Sequence, residues 1–245
     1  MYDYDKIPLG YYDKIYRRQK GVRSFWHWLK FETVVNKLKK GHTVLDVGCF
    51  SGTFLGILDP SEFPRQHGVD ILHDQIHYAN KVYGNQNRKF TCISSLKDLE
   101  NCTEFVADQI TLIEVLEHLN KNEINTLFEQ LVKLLPKGGR VVLTTPNYSS
   151  FWFVQEVMVD YFSGLNYTEQ HLTKFSFFNF KRKIKQLYPA FDSVFKCNSV
   201  QTSHFLLPVI SLFSFNLAAR LSKRFHPVPL SLGSLLLVEL EKISE

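Results

Sequence analysis

Glu114, Glu117 and His118 stand at i, i+3 and i+4 in the run IEVLEHL. If that run turns helically, two carboxylates and an imidazole share one face. Such a set can hold a divalent cation through oxygen and nitrogen and leave positions for two vicinal acceptor oxygens. It can equally serve proton transfer without a metal, or merely cap a helix. A second chemically loaded stretch is TVLDVGCFSGTFLGIL, residues 43 to 58, where Gly48 and Gly52 follow the apolar run Val44, Leu45, Val47. A short buried strand must turn sharply there into a helix over 53–58. Glycines at the turn let backbone approach a ligand, and the first N–H groups of the helix face it. Asp70, in HGVDI, follows the glycine turn by about 20 residues, the separation at which a βαβ unit sets a carboxylate beside a ribose. These features describe a nucleotide-type pocket.

The elements that must position these residues follow from the pattern. Helical spacing of Phe25, Trp28, Leu29, Phe31, Val34, Val35 and Leu38 predicts an amphipathic helix over 24–38, serving either as a lid over the cleft or as a helix packed on a sheet. Strands are expected at 44–47, 68–71, 89–93, 105–113 and 140–145, and helices at 74–83 and 123–135. Pro136 and the paired glycines of LLPKGG turn the chain into the fifth strand. Alternation of strand and helix from 43 to 145 implies an α/β fold with a parallel sheet and helices on both faces.

The spacing Gly48-Cys49-Phe50-Ser51-Gly52 departs from the dinucleotide pattern G-x-G-x-x-G, because Phe50 and Thr53 occupy the second and third glycine positions. A nicotinamide dehydrogenase is therefore disfavoured. The ordered series VLDVGCFSG, GVD, EVLEHL and LLPKGG instead resembles class I S-adenosylmethionine (SAM) methyltransferases, and EVLEH in particular the group with quinone-biosynthetic and small-RNA O-methyltransferases. The resemblance covers about half the chain closely. It implies a Rossmann-like seven-stranded sheet, mostly parallel with an antiparallel last strand. Strand six is expected at 191–198 and strand seven at 233–241. It also implies that Asp46, Gly48, Cys49, Phe50 and Gly52 border the cofactor, with Asp70 and Ile71 at the ribose, Ser95 and Leu96 at the adenine, and Glu114 at the end of strand four. Glu114, Glu117 and His118, with His171 from the later segment, are the implied catalytic residues and metal ligands. Phe50 stands where the family has a second glycine, so its ring must leave the cofactor or narrow the pocket.

Composition limits the partners. A chain of 245 residues with 44% hydrophobic and 22% charged residues suits one globular α/β domain, here 41–245, behind a helical flank at 1–40. A net charge of +5 is modest for a nucleic-acid binder, and the one dense basic run is Lys181, Arg182, Lys183 and Lys185. Four dispersed cysteines, without a CxxC, fit a reducing compartment. No apolar leader is read in MYDYDKIPLGYYDK, so a cytoplasmic location is expected. An apolar insertion is expected at about 200–232; residues 204–219 contain no Lys, Arg, Asp or Glu, and Arg220, Lys223 and Arg224 follow. It suits peripheral membrane contact, a homodimer contact or core packing. The expected activity is SAM-dependent methylation, on oxygen, of a small, lipid-like or glycan acceptor. The alternatives are ribose 2′-O-methylation of RNA with a metal at E-x-x-E-H, and a non-catalytic SAM-binding module.

Overall fold

A computed structural model describes residues 7–102, 106–150, 171–225, 227–228 and 231–245. Five parallel strands come first: β1 (Val44–Val47), β2 (Gln66–Asp70), β3 (Arg88–Cys92), β4 (Gln109–Ile113) and β5 (Arg140–Pro146). With β6 (Phe195–Ser203) and β7 (Leu235–Lys242) they form a seven-stranded sheet ordered β3-β2-β1-β4-β5-β7-β6. β7 is antiparallel to both β5 and β6, which matches the fold expected from the sequence. The near-continuous apolar runs of β1, β4 and β5 are those of strands covered on both faces.

Helices supply that cover. On one face α1 (Tyr11–Arg17), α2 (Gly21–Val35), α3 (Thr53–Ile57) and α4 (His73–Tyr83) gather. Phe31, Val34, Phe54, Leu55, Ile76 and Ala79 bury there with Val44, Phe90 and Val142. On the other face lie α5 (Leu99–Cys102), α6 (Lys121–Leu134), α7 (Phe180–Leu187) and α8 (Phe191–Val194). Their core joins Phe128, Leu131, Phe180 and Ile184 to Leu45, Ile110 and Leu143. Two further helices, α9 (Leu207–Ile210) and α10 (Phe215–Phe225), follow β6. No helix among the described residues is long and apolar enough to cross a membrane, and none of the four cysteines is in a disulfide.

Several boundaries move for identifiable reasons. α6 starts at Lys121 rather than 123 because Asn120 caps it: its side chain accepts from the N–H groups of Asn122 and Glu123, and Glu123 accepts from Asn120 N at 2.8 Å. α2 stops at Val35, after which Lys37 and Leu38 bond back three residues in a tight turn. β4 begins at Gln109, because the Asp108 carboxylate accepts from both the N–H and the hydroxyl of Thr43 at 2.8 Å and closes the strand's entry; Phe105 lies outside the described residues. The sixth strand was expected at 191–198. Instead Phe191 opens a helical turn, since Phe191 and Phe195, four apart, both pack on Phe128 at 6.0 and 5.7 Å. β6 then runs on to Ser203, so the first residues expected in the insertion are strand.

The N-terminal flank is anchored by one buried acid. Asp13 of α1, 1% exposed, accepts from Tyr78 Oη at 2.7 Å, from the Tyr83 hydroxyl, from Thr53 Oγ1 at 3.3 Å and from Arg17 Nε at 3.0 Å. It thereby joins α1 to α3 and α4. Asp13→Ala strands these donors and is expected to lower stability by about 3 kcal/mol. Urea unfolding reads the loss, and a change under about 0.5 kcal/mol would show that the flank is held by apolar packing alone.

Candidate active site

The strand order reverses between β1 and β4, and it is beyond the carboxyl ends of such strands that a doubly wound sheet opens a crevice. The glycine loop, Asp70 and Glu114 all stand at these ends. Gly48 and Gly52 have φ of 80° and 73°, and Phe50 between them also lies at positive φ, 47°. Only glycine fits at the first two. A Cβ on Gly48 would lie 2.6 Å from Val115 Cγ2, and one on Gly52 would lie 2.6 Å from the Phe90 ring and 2.8 Å from Ala79. The loop is glycine-rich so that it can pack against β3, α4 and the turn after β4. The helix behind it is also only five residues long, so its dipole is small.

Phe50 turns its ring toward α1, edge-on to Tyr12 at 5.2 Å, and Tyr12 packs on His27 of α2 at 5.1 Å. Phe50 N donates to Asp70 Oδ2 at 2.8 Å, and Leu72 N donates to Oδ1 at 3.0 Å. Burial raises the Asp70 pKa, and these backbone bonds pull it part of the way back. Each Asp70 oxygen keeps lone-pair capacity beyond the bond it accepts. Ile71 beside it is 59% exposed, an apolar face at the mouth of the crevice. Asp46 is enclosed deeper: Thr111 Oγ1 donates to it at 2.6 Å, and burial holds its pKa up at about 7. Cys49 is buried, its sulfur beside Gly68. Ser95 caps a 3-10 turn over Leu96–Asp98, sharing the Asp98 carboxylate with Ser94 N, while Leu96 packs toward the core.

The acidic run after β4 does not form one helical face. Glu114 takes a left-handed conformation, φ 56°, and its N–H donates to Thr144 O at 3.0 Å. Its carboxylate turns to Lys30 of α2 and forms an ion pair with the ammonium. Burial alone would raise the Glu114 pKa, but the charge and hydrogen bond of Lys30 outweigh it and bring the value down to about 2. Burial, reinforced by Lys30, lowers His27 to about 3, so that imidazole is neutral.

Glu117 and His118 belong instead to a 3-10 turn over Leu116–His118. There they meet His171, and one ligand atom from each lies within 4.8 Å of the others. Glu114, expected in this set, is left out of it because its left-handed turn sends it to Lys30. Thr173 N donates to Glu117 O at 3.0 Å and Thr173 Oγ1 to Leu119 O at 2.7 Å, which fixes the segment bearing His171 against the turn. Tyr148 Oη lies 2.6 Å from His171 Nδ1 and sets that ring's orientation. Glu117 is fully buried. Thr145 Oγ1 donates to its Oε2 at 2.9 Å, while Oε1 has no hydrogen-bond partner among the described residues. Burial and the neighbouring Glu114 charge raise its pKa to about 8. A buried carboxyl group and two imidazoles so grouped could hold a divalent cation through oxygen and nitrogen.

Lys30, His27, Thr145 and Tyr148 escaped the sequence reading. Lys30 carried the clearest signal, a lone base between Leu29 and Phe31 on the apolar face of a predicted helix.

Comparison with known proteins follows this geometry. Residues 19–187 match a family model described as a methyltransferase domain. A curated relative in Arabidopsis thaliana, a tRNA (carboxymethyluridine(34)-5-O)-methyltransferase, is 32% identical over 134 residues, 54% of this chain and 31% of its own length. Sphingolipid C9-methyltransferase 1 of Gibberella zeae is 24% identical over 47% of this chain and 23% of its own length. The chain thus spans less than a third of the curated relatives it matches. The crystal structure of the plantazolicin methyltransferase BamL, in complex with a triazolic desmethylPZN analog and SAH, superposes with a TM-score of 0.62 at 18% identity, covering 95% of this chain and 88% of that one. The fold is the one this SAH-bound methyltransferase also has. This chain belongs to the methyltransferase-domain family.

The raised pKa of Asp46 has a sign that can be checked. Between about pH 4 and 7 the folded protein keeps a proton on Asp46 that the unfolded chain has released, so this group's stabilising contribution falls as pH rises through that window and levels off above it. Asp46→Asn removes the dependence. Urea unfolding at pH 5 and pH 8 is expected to show a loss in wild type that exceeds the loss in Asp46→Asn by on the order of 3 kcal/mol. Equal losses would mean that Asp46 stays ionised.

Proposed function

We propose that the protein transfers the methyl group of SAM to an oxygen of a small or lipid-like acceptor, with Glu117, His118 and His171 holding a divalent cation beside the acceptor. The observation that carries this reading is the grouping of the buried Glu117 carboxyl with the imidazoles of His118 and His171, one Glu117 oxygen having no hydrogen-bond partner among the described residues. SAM supplies an already activated methyl group, so the protein's task is to position the acceptor and deal with its proton. A divalent cation supplies charge that eases loss of that proton.

The chain's own residues meet the remaining demands. The Asp70 oxygens accept from ribose hydroxyls while Phe50 N and Leu72 N hold the carboxylate in place. Ile71 offers its exposed side chain to a flat apolar ring. Lys30 pairs with Glu114 and keeps that carboxylate apart from the Glu117, His118 and His171 set. Tyr148 holds His171 in one orientation, as the partner of a ligating or proton-accepting imidazole must.

The sphingolipid relative supports a lipid-like acceptor, whereas the tRNA relative supports RNA as a second reading. Against RNA stands the partnering of the basic helix α7: Lys185 pairs with Asp192 at 2.7 Å, and Lys183 donates to Lys174 O at 2.7 Å. Lys181, Arg182 and Lys183 keep their charge, but a run this short makes only a small phosphate track.

Calorimetric titration with S-adenosylhomocysteine is expected to saturate in wild type and to weaken at least about tenfold in Asp70→Ala, the loss of one or more charge-assisted hydrogen bonds. Titration with manganese is expected to give one site that Glu117→Gln abolishes while cofactor affinity is retained. Absence of cofactor binding would overturn the methyltransferase reading, and manganese binding unaffected by Glu117→Gln would overturn the metal assignment.

A further inference from the structure

β6 ends at Ser203, and the chain leaves the sheet through His204 and Leu206, both in left-handed conformation at φ 67° and 52°. The bend is fixed to α2: His204 Nε2 lies 2.9 Å from Trp26 O, and the two rings are 4.1 Å apart. α9 and α10 then pack on the same helix. Leu207 and Ala218 bury with Phe25 and Leu29, and Phe215 meets Phe25 edge-on at 5.2 Å. One side of the segment is thus accounted for.

The other side is not. Leu206, Val209, Leu212, Phe213 and Leu217 are 50 to 87% exposed, Phe213 most of all. Single exposed apolar side chains are ordinary, but this many within one short segment make a patch that needs an occupant. Basic residues follow directly. Leu217, Arg220 and Arg224 stand at i, i+3 and i+7 of α10, on one face, and Arg220 and Lys223 are exposed. The seven steps from Leu217 to Arg224 rise about 10 Å. That is about the depth to which an interfacial element sinks its apolar part below lipid headgroups.

Charge decides between occupants. No Asp or Glu occurs from Ser193 to Val238; Glu32 of α2 lies beside Lys223, but Arg220 and the apolar tip have no acid in their own segment, so two copies meeting through this patch would bring base toward base. An anionic headgroup layer attracts the same collar and accepts the apolar tip. We propose that the segment 206–223 docks the protein on an anionic bilayer surface, with Leu206, Val209, Leu212, Phe213 and Leu217 inserted and Arg220 and Lys223 at headgroup level. The docking does not rest on the functional reading above.

The test is flotation of the full chain with vesicles of phosphatidylcholine alone and of phosphatidylcholine with phosphatidylglycerol, beside light scattering of the lipid-free protein. Wild type is expected to float with the anionic vesicles and at least about tenfold less with the neutral ones. Leu212→Asp/Phe213→Asp is expected to lose flotation, and Arg220→Glu/Lys223→Glu to lose the anionic preference. Retained binding of S-adenosylhomocysteine shows that each variant is folded. Wild type unbound to both vesicles, or a dimer in solution that Leu212→Asp dissociates, would overturn the proposal. Cofactor binding without flotation would end the docking proposal and leave the methyltransferase reading standing. Flotation without cofactor binding would do the reverse.

Discussion

The ion pair between Lys30 and Glu114 is the constraint on which the site depends. Four carboxylates, Asp46, Asp70, Glu114 and Glu117, converge at the carboxyl ends of β1, β2 and β4, in or beside a buried crevice. Like charges so placed cannot all ionise without a large desolvation and repulsion cost. Lys30 resolves the conflict for one of them. Glu114 is held ionised, and Glu117, three residues on, is pushed toward its protonated form by burial and by that same charge. The backbone reflects the arrangement: Glu114 adopts a left-handed conformation that turns its carboxylate to α2 and leaves Glu117 to the histidines.

The pair also explains why the N-terminal flank matters to the crevice. α2 is held by apolar packing on the sheet, and α1 by Asp13 on α3 and α4. Between them they carry Tyr12, His27 and Lys30 to the glycine loop and to the end of β4. The same α2 supports α9 and α10 on its outer side. A single helix therefore joins the charge balance of the crevice to the exposed apolar patch on α9 and α10.

Much of this was legible in the sequence, and the parts that were not share a cause. The strands, their alternation with helices and the acid after β2 follow from local periodicity and spacing, which short-range physics controls. The antiparallel β7 came from the family pattern. What local pattern missed was decided by distant partners. Phe191 and Phe195 would share a face in a strand as well, but about 13 Å apart; a helical turn brings both against the single ring of Phe128. Glu114, Glu117 and His118 read as one face until Lys30, which precedes Glu114 by 84 residues, claims the first of them. The glycines of the loop were read as letting backbone approach a ligand; the sequence did not show that Val115 and Phe90 also crowd them. Tyr148 had no signal beyond its place just after a strand end.

A double-mutant cycle on Lys30 and Glu114, followed by urea unfolding, tests this account most directly. Lys30→Met or Glu114→Gln alone leaves a charge without its partner in a largely buried place and is expected to cost about 3 kcal/mol. The double variant is expected to recover much of that loss, with a coupling of at least about 1 kcal/mol. Additive losses, with no coupling, would mean that the two charges do not depend on each other and that the crevice is organised by something else.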